Sequence, residues 1–555
     1  MLERLRSSRL RIDGRYARLA SAARPSLACL LDLSNDENVI PSYATRPETA
    51  VGAPLETRKM TRIPDFSLTS PAGVSAAAGD LVIAATCEGS APVTTDLPTA
   101  VADALSRLAA RPGWQGKEGQ VQTTEAGEGG AQVTLYGLGA EARATRRRVE
   151  VWLRDALDLA STNRAQTVTV LLPPVPELGS GRSPGVAHWL GRALVRATYR
   201  FERYRNGGQG ERRIGGVRVV LPSGVSAGDD ADGVMAAVAD AVVFGRDLGN
   251  TPGNEAVPAW MDERARELAA EFGMKATSFG PEELAERGMG GILAVGSGSE
   301  NEPRLVRLDW GERGPRVALV GKGVTFDTGG ISIKPAREMD EMKYDKCGAC
   351  TVLAVSRAVA ALDLPIRFSA YVPLAENMPD GRSYRPGDIV RCYNGKTVEI
   401  VNTDAEGRML LADALAWAVE EEPDVLLEFS TLTGASVIAV GQDAASLYTP
   451  DDELAGSLLA AAEGTGERLW RMPLWPEFAD RMKGAHADLK NAGGRWGSAN
   501  TAAAFLSQFV GGFERWAHLD IAGGAYVGRD GDDEPGATGY GVALAVDWLR
   551  KLAAA

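Results

Sequence analysis

The stretch Arg316-Val-Ala-Leu-Val-Gly-Lys-Gly-Val-Thr-Phe-Asp327 determines how the C-terminal half of this chain is interpreted. Its first five residues form a short apolar run of the kind that fills a buried strand, and glycines then interrupt the run. The segments 424–429 and 398–401 are two further buried-strand candidates. Because a ligand crevice lies outside the carboxyl ends of the strands in open α/β sheets, the charged loops that follow such strands are candidates for one shared site.

Similar strand-like runs occur nearer the N-terminus, at 80–85, 132–136 and 166–172, and an amphipathic stretch covers 146–161. Strands that alternate with helices are typical of a mainly parallel sheet. We therefore predict an α/β fold with two mixed or mainly parallel α/β domains joined by a helix, the larger domain being C-terminal. The predicted boundaries are a basic segment with a linker at 1–66, an N-terminal domain at 67–228, a connecting helix at 229–248 and a catalytic domain at 249–555.

Composition restricts the class of protein. The 555 residues include 60 Lys and Arg against 73 Asp and Glu, which gives a net charge of −13, and 45% of the residues are hydrophobic. This balance excludes a chain that is disordered throughout, and it argues against a general nucleic-acid coat. No apolar run is long enough for a membrane helix. Five cysteines, an odd number, indicate free thiols in a reducing compartment, and three histidines make a His-rich zinc site improbable.

The first 31 residues differ from the rest of the chain, because they contain seven arginines and two acids. Arg-rich, acid-poor N-termini resemble organelle transit peptides, and a basic tail without a targeting role is an equally weighted alternative. A cytoplasmic location is expected if the segment is retained. A mitochondrial or other organellar location is expected if it is cleaved.

Acidic residues are concentrated in three Gly-rich segments of the C-terminal half. Asp327 ends the opening stretch, Asp345 lies in Met342-Lys-Tyr-Asp-Lys-Cys-Gly348, and Asp404 and Glu406 lie in Val401-Asn-Thr-Asp-Ala-Glu-Gly-Arg408. Residues at i and i+2 of an extended segment point the same way, so two carboxylates at 404 and 406 would repel each other without a cation between them. Four acids are enough to bridge two divalent ions, and hard oxygen donors suit Mg, Mn or Zn.

Three basic residues complete this pattern. Lys322, between two glycines, is a candidate neutral amine ligand, because adjacent cations would depress its pKa. Lys334 and Arg408 supply positive charge for a developing oxyanion or a bound anion. The combination of acids, lysine and glycine turns therefore predicts a site for two divalent metal ions.

At these residues the sequence closely resembles the leucyl aminopeptidase, or cytosol aminopeptidase, family. Asn402-Thr-Asp-Ala-Glu-Gly-Arg408 matches the family signature, with Met409 standing where Leu is usual. The resemblance covers most of 230–555, is weaker over 68–225 and is absent over 1–66. Further matching segments are Asp247-Leu-Gly-Asn-Thr-Pro252, Thr431-Leu-Thr-Gly434, Ala487-Asp-Leu-Lys-Asn491, Trp516-Ala-His-Leu-Asp-Ile-Ala522 and Gly536-Ala-Thr-Gly-Tyr-Gly541.

The resemblance implies a role for each matching position. It makes Lys322, Asp327, Asp345 and Glu406 the ligands of one metal, and Asp327, Asp404 and Glu406 the ligands of the other. The two catalytic residues that bind no metal fall on Lys334 and Arg408. The pocket for the first side chain of the substrate is implied to contain Met342, Thr431, Gly434 and Ala522. Lys346 and Cys350, beside Asp345, are unusual and are expected to affect metal preference at most.

The implied activity is removal of the N-terminal residue, preferably Leu-like, from short peptides by a metal-bridged hydroxide. The implied cofactors are two divalent ions per subunit, Zn or Mn with Mg as a further option, and bicarbonate bound near Arg408 as the proton shuttle. The implied assembly is a homohexamer, with no membrane association.

Two other functions, nucleic-acid binding and dithiol redox chemistry, are each suggested by one feature. Some relatives of this family bind DNA, but the charge of −18 that remains outside the basic N-terminus argues against a nucleic-acid partner. Cys347 and Cys350 have the spacing of a redox dithiol, although two small buried residues at the start of a helix are the favoured interpretation. His518, in an apolar run, is interpreted as structural.

Overall fold

Two open sheets with helices on both faces carry the part of the chain that the computed structural model describes, namely residues 61–162, 165–178, 181–182, 185–206, 214–528 and 534–555. The predicted basic segment and most of the predicted linker lie outside the described residues. The predicted domain boundaries remain predictions.

The N-terminal sheet is built as the alternating pattern predicts. Within Asp80–Thr86, Leu81 and Ile83 pack in the core that contains helices Arg146–Thr162 and Val186–Thr198, whereas Val82 and Ala84 pack against helix Thr99–Ala109 on the other face. Its last strand is antiparallel to its neighbour and the others are parallel. The spatial order is Asp65–Leu68, Gly216–Val220, Thr167–Leu171, Asp80–Thr86, Gln132–Gly137 and Val121–Glu125.

The connecting helix spans Ala231–Asn250, so it continues two residues beyond position 248, where the sequence analysis ends it. Gly249 does not end it, because this glycine serves close packing: a Cβ there would lie 2.5 Å from the Cβ of Ala537. Asn250 fixes the end of the helix, since its Oδ1 accepts from the Ala537 amide at 2.9 Å and its Nδ2 donates to the Tyr199 hydroxyl at 3.1 Å.

The C-terminal sheet is larger and mixed. Its central strands, Val425–Ser430, Arg316–Gly321 and the first half of Arg367–Asn377, are parallel and buried on both faces, which explains their apolar sequences. Strand Gly323–Asp327 pairs with the second half of Arg367–Asn377. The spatial order of the sheet is Arg468–Arg471, Ala444–Tyr448, Trp516–Asp520, Val425–Ser430, Arg316–Gly321, Arg367–Asn377, Arg304–Trp310 and Lys275–Phe279.

One predicted buried strand is wrong in part. Residues 398–401 do not belong to the central sheet: strand Thr397–Glu399 pairs with Ile389–Arg391 and Leu489–Lys490 in a small side sheet. Val401 is 42% exposed, so the four residues do not form the two-sided apolar run of a central strand. Two further pairs of short strands are Gly181–Arg182 with Val225–Ser226 and Tyr526–Val527 with Gly536–Ala537.

Helices cover both faces of the C-terminal sheet. Cys347–Ala361 and Val542–Ala554 pack on the face that shares a core with the N-terminal helices, and Gly407–Glu420 and Ser498–Leu506 pack on the other. None of the described helices has the length and apolar composition needed to cross a bilayer. The other α-helices of this half are Pro258–Phe272, Pro281–Glu286, Gly290–Gly296, Gly434–Val440, Asp452–Thr465 and Pro476–Asp480. The short 3-10 helices are Pro71–Gly73, Glu141–Arg143, Pro176–Leu178, Met339–Tyr344 and Ser507–Phe509.

Candidate metal centre

The charged loops predicted from the sequence meet in the structure. Lys322 follows strand Arg316–Gly321, and Asp327 ends strand Gly323–Asp327. Asp345 follows the 3-10 helix Met339–Tyr344, and Glu406 precedes helix Gly407–Glu420. Strand ends and helix starts thus bring these side chains to one place from positions far apart in the chain.

Lys322 lies at the buried end of the cluster. Its Nζ lies 2.7 Å from Oδ1 of Asp345 and 2.9 Å from Oε1 of Glu406, and it donates to the carbonyl of Thr431 at 3.0 Å. The residue is 2% exposed. Gly407 permits this approach, because a Cβ at that position would lie 2.4 Å from Cε of the lysine.

Lys334 contacts the other two acids of the cluster. Its Nζ lies 2.7 Å from Oδ2 of Asp327 and also pairs with Asp404. The turn that carries it depends on Gly329, whose φ of +86° is unfavourable for other residues and whose Cβ would lie 2.5 Å from the carbonyl of Ser332. One lysine therefore holds Asp345 and Glu406, and the other holds Asp327 and Asp404.

Three of the carboxylates are close enough to share an ion. Asp327, Asp345 and Glu406 each offer an oxygen within 4.8 Å of the other two, and all three are buried. Oδ2 of Asp345 is buried and has no hydrogen-bond partner among the described residues. A buried carboxylate oxygen without a partner is costly, and a divalent cation would satisfy it. The residues present therefore fit a metal ion in both charge and donor type.

The pKa values follow from this crowding. Burial, followed by the negative charge of Glu406, raises the pKa of Asp327 to about 6 and that of Asp345 well above its ordinary range. Burial acts the same way on Glu406, but Lys322 and Lys334 outweigh it and lower the pKa of Glu406. The site therefore holds carboxylates that repel one another and that positive charge stabilises.

The pKa of Lys322 depends on whether carboxylates or cations lie beside it. Burial acts to lower it, but Asp345 and Glu406 outweigh burial and raise it. The predicted depression rested on adjacent metal ions, whereas the neighbours in the structure are carboxylates. A neutral amine at this position therefore requires cations between the lysine and the acids.

Arg408 lies near this group, on the first turn of helix Gly407–Glu420. It is 7% exposed, and its Nη1 donates to the carbonyl of Asn491 at 2.7 Å. Its Nε has no hydrogen-bond partner among the described residues, and burial lowers its pKa to about 10. A buried guanidinium with an unused donor is suited to binding a small anion.

The predicted substrate residues lie in segments next to the acids. Oγ1 of Thr431 donates to Oδ1 of Asp345 at 2.8 Å, and Met342 is half-buried three residues before that acid. Gly434 is exposed at the start of helix Gly434–Val440, and Ala522 follows strand Trp516–Asp520. Asp520 joins the last two segments, since it accepts from the amides of Leu432 at 3.1 Å and Ala522 at 3.3 Å.

Two asparagines in the site have no role in the sequence-based prediction. Nδ2 of Asn377 donates to Oδ1 of Asp327 at 2.8 Å and to the carbonyl of Thr403 at 3.1 Å, so one amide joins two acid-bearing loops. Oδ1 of Asn491 accepts from the amide of Val401 at 2.8 Å, and its Nδ2 donates to the carbonyl of Asn402 at 2.6 Å. Asn377 ends the strand Arg367–Asn377. A polar residue at the carboxyl end of a strand is a candidate site residue, and this position was the signal in the sequence that could have identified it.

Replacing Asn377 by Ala is expected to weaken metal binding by about 10- to 100-fold, because partners that orient a metal ligand typically contribute that much. Competition with a chelator of known affinity measures the change. Asn301→Ala is the matched control, since its amide also donates to a carboxylate, that of Glu376, at 2.9 Å. Equal metal affinity in Asn377→Ala and the wild type would show that the Asp327 contact does not support the site.

Two residue groups that the sequence analysis assigned to structure are buried. His518 and Glu428 form a pair in which both are 0% exposed, and the imidazole stacks on Tyr448 at 5.5 Å. Cys347 and Cys350 are free, buried and located in the first turn of helix Cys347–Ala361. Both observations agree with a structural interpretation.

Comparison with known proteins identifies the family. Residues 243–546 match the catalytic domain of the cytosol aminopeptidase family, and residues 83–207 match its N-terminal domain. The probable cytosol aminopeptidase of Roseiflexus castenholzii is 43% identical over 76% of this chain and 87% of its own length. The corresponding protein of Syntrophotalea carbinolica is 40% identical over 83% of this chain and 94% of its own.

Solved structures lead to the same family. A point mutant of tomato leucine aminopeptidase superimposes with a TM-score of 0.75 at 30% identity and covers 89% of this chain and 97% of its own. The bottromycin maturation enzyme BotP in complex with Mn gives a TM-score of 0.73 at 35% identity, with 86% and 100% covered. The chain therefore belongs to the cytosol aminopeptidase family and is a metal-dependent hydrolase that removes residues from the N-terminus of peptides.

Proposed function

We propose that the cluster described above is the catalytic centre and that it holds two divalent ions. One would be bound by Lys322, Asp327, Asp345 and Glu406, and the other by Asp327, Asp404 and Glu406. The observation that carries this proposal is that oxygens of three buried carboxylates lie within 4.8 Å of one another. The buried Asp345 oxygen without a partner supports it.

Bound divalent ions would lower the pKa of a water molecule and polarise the scissile carbonyl. The residues of the chain would provide the rest. The Lys334 ammonium lies at the edge of the carboxylate cluster, where it would stabilise the oxyanion that develops on that carbonyl. The free α-amine of the substrate would bind one of the two ions, which would restrict cleavage to the N-terminal residue.

Arg408 would hold bicarbonate as the proton carrier. Its buried guanidinium and unused Nε donor support anion binding, and no histidine among the described residues contacts the carboxylate cluster. A bound anion would therefore carry the proton to the leaving amine.

We infer a preference for Leu-like first residues. Met342 is apolar and half-buried, and Oγ1 of Thr431 donates to Asp345; both residues would border the pocket together with Gly434 and Ala522. The metals are proposed to be Mn or Zn, with Mg as a further option, because the donors are mainly hard oxygens and the related enzyme BotP has been seen with Mn. We also propose a homohexamer, and a cytoplasmic location in keeping with the names of the relatives.

The proposed function predicts that hydrolysis of a leucine anilide is lost after dialysis against a strong chelator and returns when Mn or Zn is added. The reason is that removal of the cations leaves the carboxylates paired with Lys322 and Lys334. The same assay with an N-acetylated leucine anilide serves as the control and should show no hydrolysis. Activity that survives exhaustive chelation would contradict the proposal.

A further inference from the structure

A cavity of about 610 Å³ lies between the two sheets and is separate from the carboxylate cluster. Helices Arg146–Thr162 and Val186–Thr198 form one wall. The opposite wall comes from the C-terminal half, at the end of helix Asp452–Thr465, the start of strand Arg468–Arg471 and the short strand Tyr526–Val527. No residue of the proposed metal centre lines this interdomain cavity.

Positive charge dominates the deeper part of its wall. Two buried acids, Glu150 and Glu467, face five of the six buried or half-buried arginines, whereas the other four lining acids are exposed. Two further arginines also line the cavity, Arg154 beside Asp155 and the exposed Arg468. The five arginines are Arg146, Arg147, Arg192, Arg196 and Arg246, and the exposed acids are Glu177, Asp443, Glu463 and Glu534.

The two buried acids neutralise only part of this wall. Glu150 is shared, because its carboxylate pairs with both Arg192 and Arg196 and also accepts from Nε1 of Trp189 at 2.9 Å. Glu467 accepts from the amides of Gly541 at 2.9 Å and Leu544 at 2.8 Å, at the start of helix Val542–Ala554. Its carboxylate therefore binds a helix N-terminus, and its negative charge also acts on the nearby Arg192.

Two of the arginines bind neutral acceptors. Nη1 of Arg146 donates to the carbonyls of Glu463 and Gly464, both at 2.7 Å, and Arg192 donates to that of Thr465 at 3.4 Å. These bonds join the halves of the protein but cancel no charge. The Nε atoms of both arginines are buried without a hydrogen-bond partner among the described residues. The neighbouring arginines have contacts of their own: Arg147 lies 3.8 Å from Oδ1 of the exposed Asp443, and Nε of Arg246 donates to the carbonyl of Ala537 at 2.8 Å.

Arg196 is repelled by the positive charges of the neighbouring arginines. Burial, together with the nearby Arg147, Arg192 and Arg246, lowers its pKa to about 10 against the opposing effect of Glu150. An anion in the cavity would reduce this repulsion. Guanidinium groups bind the oxygens of carboxylates and phosphates in pairs, and several guanidinium groups around one cavity suit an anion with more than one negative charge, such as a phosphate group.

We propose that the interdomain cavity is a second ligand site, which binds a small phosphate-bearing anion through Arg147, Arg196 and Arg246. The volume of the cavity exceeds that of one phosphate ion, so a phosphate monoester with a small organic body also fits. The three arginines lie on helices Arg146–Thr162, Val186–Thr198 and Ala231–Asn250. Because these helices come together only in the folded protein, the bound anion would stabilise the folded state.

Isothermal titration calorimetry of the Mn-loaded protein with inorganic phosphate, and separately with glucose 6-phosphate, tests this proposal. We expect saturable binding in the millimolar range or tighter, weakened at least about tenfold in Arg196→Gln and in Arg147→Gln, since charged hydrogen bonds are the strong ones. Tighter binding of the ester would identify a phosphorylated metabolite as the ligand, and equal binding would identify free phosphate. Either result supports the site.

Two controls separate this cavity from the metal centre. Arg313→Gln changes an exposed arginine in a turn and should bind phosphate as the wild type does. Asp404→Asn should also keep the binding, since phosphate bound at the metals would respond to that change. Leucine anilide hydrolysis by Arg196→Gln and Arg147→Gln should match that of the wild type, which shows that the variants are folded. Absence of saturable binding to the wild type, or equal affinity in both arginine variants, would overturn the proposal.

Discussion

Glu406→Gln is expected to lower kcat/KM for a leucine anilide by roughly a thousandfold or more, because loss of a partner that merely orients a metal ligand already costs about 10- to 100-fold. Glu406 is proposed to bind both ions, it is 2% exposed, and its carboxylate lies 2.9 Å from Nζ of Lys322. The amide of Gln has nearly the same shape but no negative charge. The loss should therefore appear in metal content as well as in turnover.

Asp262→Asn is the matched control for this variant. Asp262 is also a fully buried acid, at 0% exposure, but it pairs with Arg266 and Arg304 on helix Pro258–Phe272 and strand Arg304–Trp310. Its replacement should reduce the free energy of unfolding and leave metal content unchanged. If Glu406→Gln retained full metal content and turnover, Glu406 would not be a ligand.

Lys334→Met is expected to lower kcat by about 10²- to 10³-fold, the usual cost of removing one donor to a developing oxyanion. Methionine keeps much of the length of the side chain and removes the charge. Because Lys334 is not a proposed ligand, elemental analysis should find the metal content of the wild type. KM should change less than kcat, since the contact forms mainly in the transition state.

Lys275→Met removes an exposed lysine on the edge strand Lys275–Phe279 and should leave both constants unchanged. A Lys334→Met enzyme with the kcat of the wild type would remove Lys334 from the catalytic residues. Loss of metal in that variant would instead indicate that the lysine maintains the site electrostatically through Asp327 and Asp404.

The central strands could be predicted from the sequence because they are buried on both faces and are therefore continuously apolar, as in Arg316–Gly321 and Val425–Ser430. The connecting helix was predicted from an Ala- and Val-rich stretch that a Gly- and Pro-containing run follows. Its end was placed too early, because Gly249 looks like a helix breaker in sequence but is required by the contact with Ala537. The strand at 398–401 was assigned to the wrong sheet, since a short run does not specify its partner.

The acids could be located because four carboxylates in Gly-rich loops are unusual and the loops follow predicted strands. Asn377 could not be found in this way. A lone asparagine after a strand carries no distinctive chemistry until the fold places its amide 2.8 Å from Asp327. The arginines of the interdomain cavity were missed for a related reason, because Arg147, Arg196 and Arg246 lie on three different helices and no linear motif contains them.

The metal content of purified wild-type protein and of Asp404→Asn, measured by elemental analysis, tests the central claim most directly. Asp404 is proposed to bind one of the two ions, while Asp327, Asp345 and Glu406 would still hold the other. We predict about two divalent ions per chain in the wild type and about one in Asp404→Asn, together with loss of activity. A wild-type enzyme that is active without bound divalent metal would contradict the account.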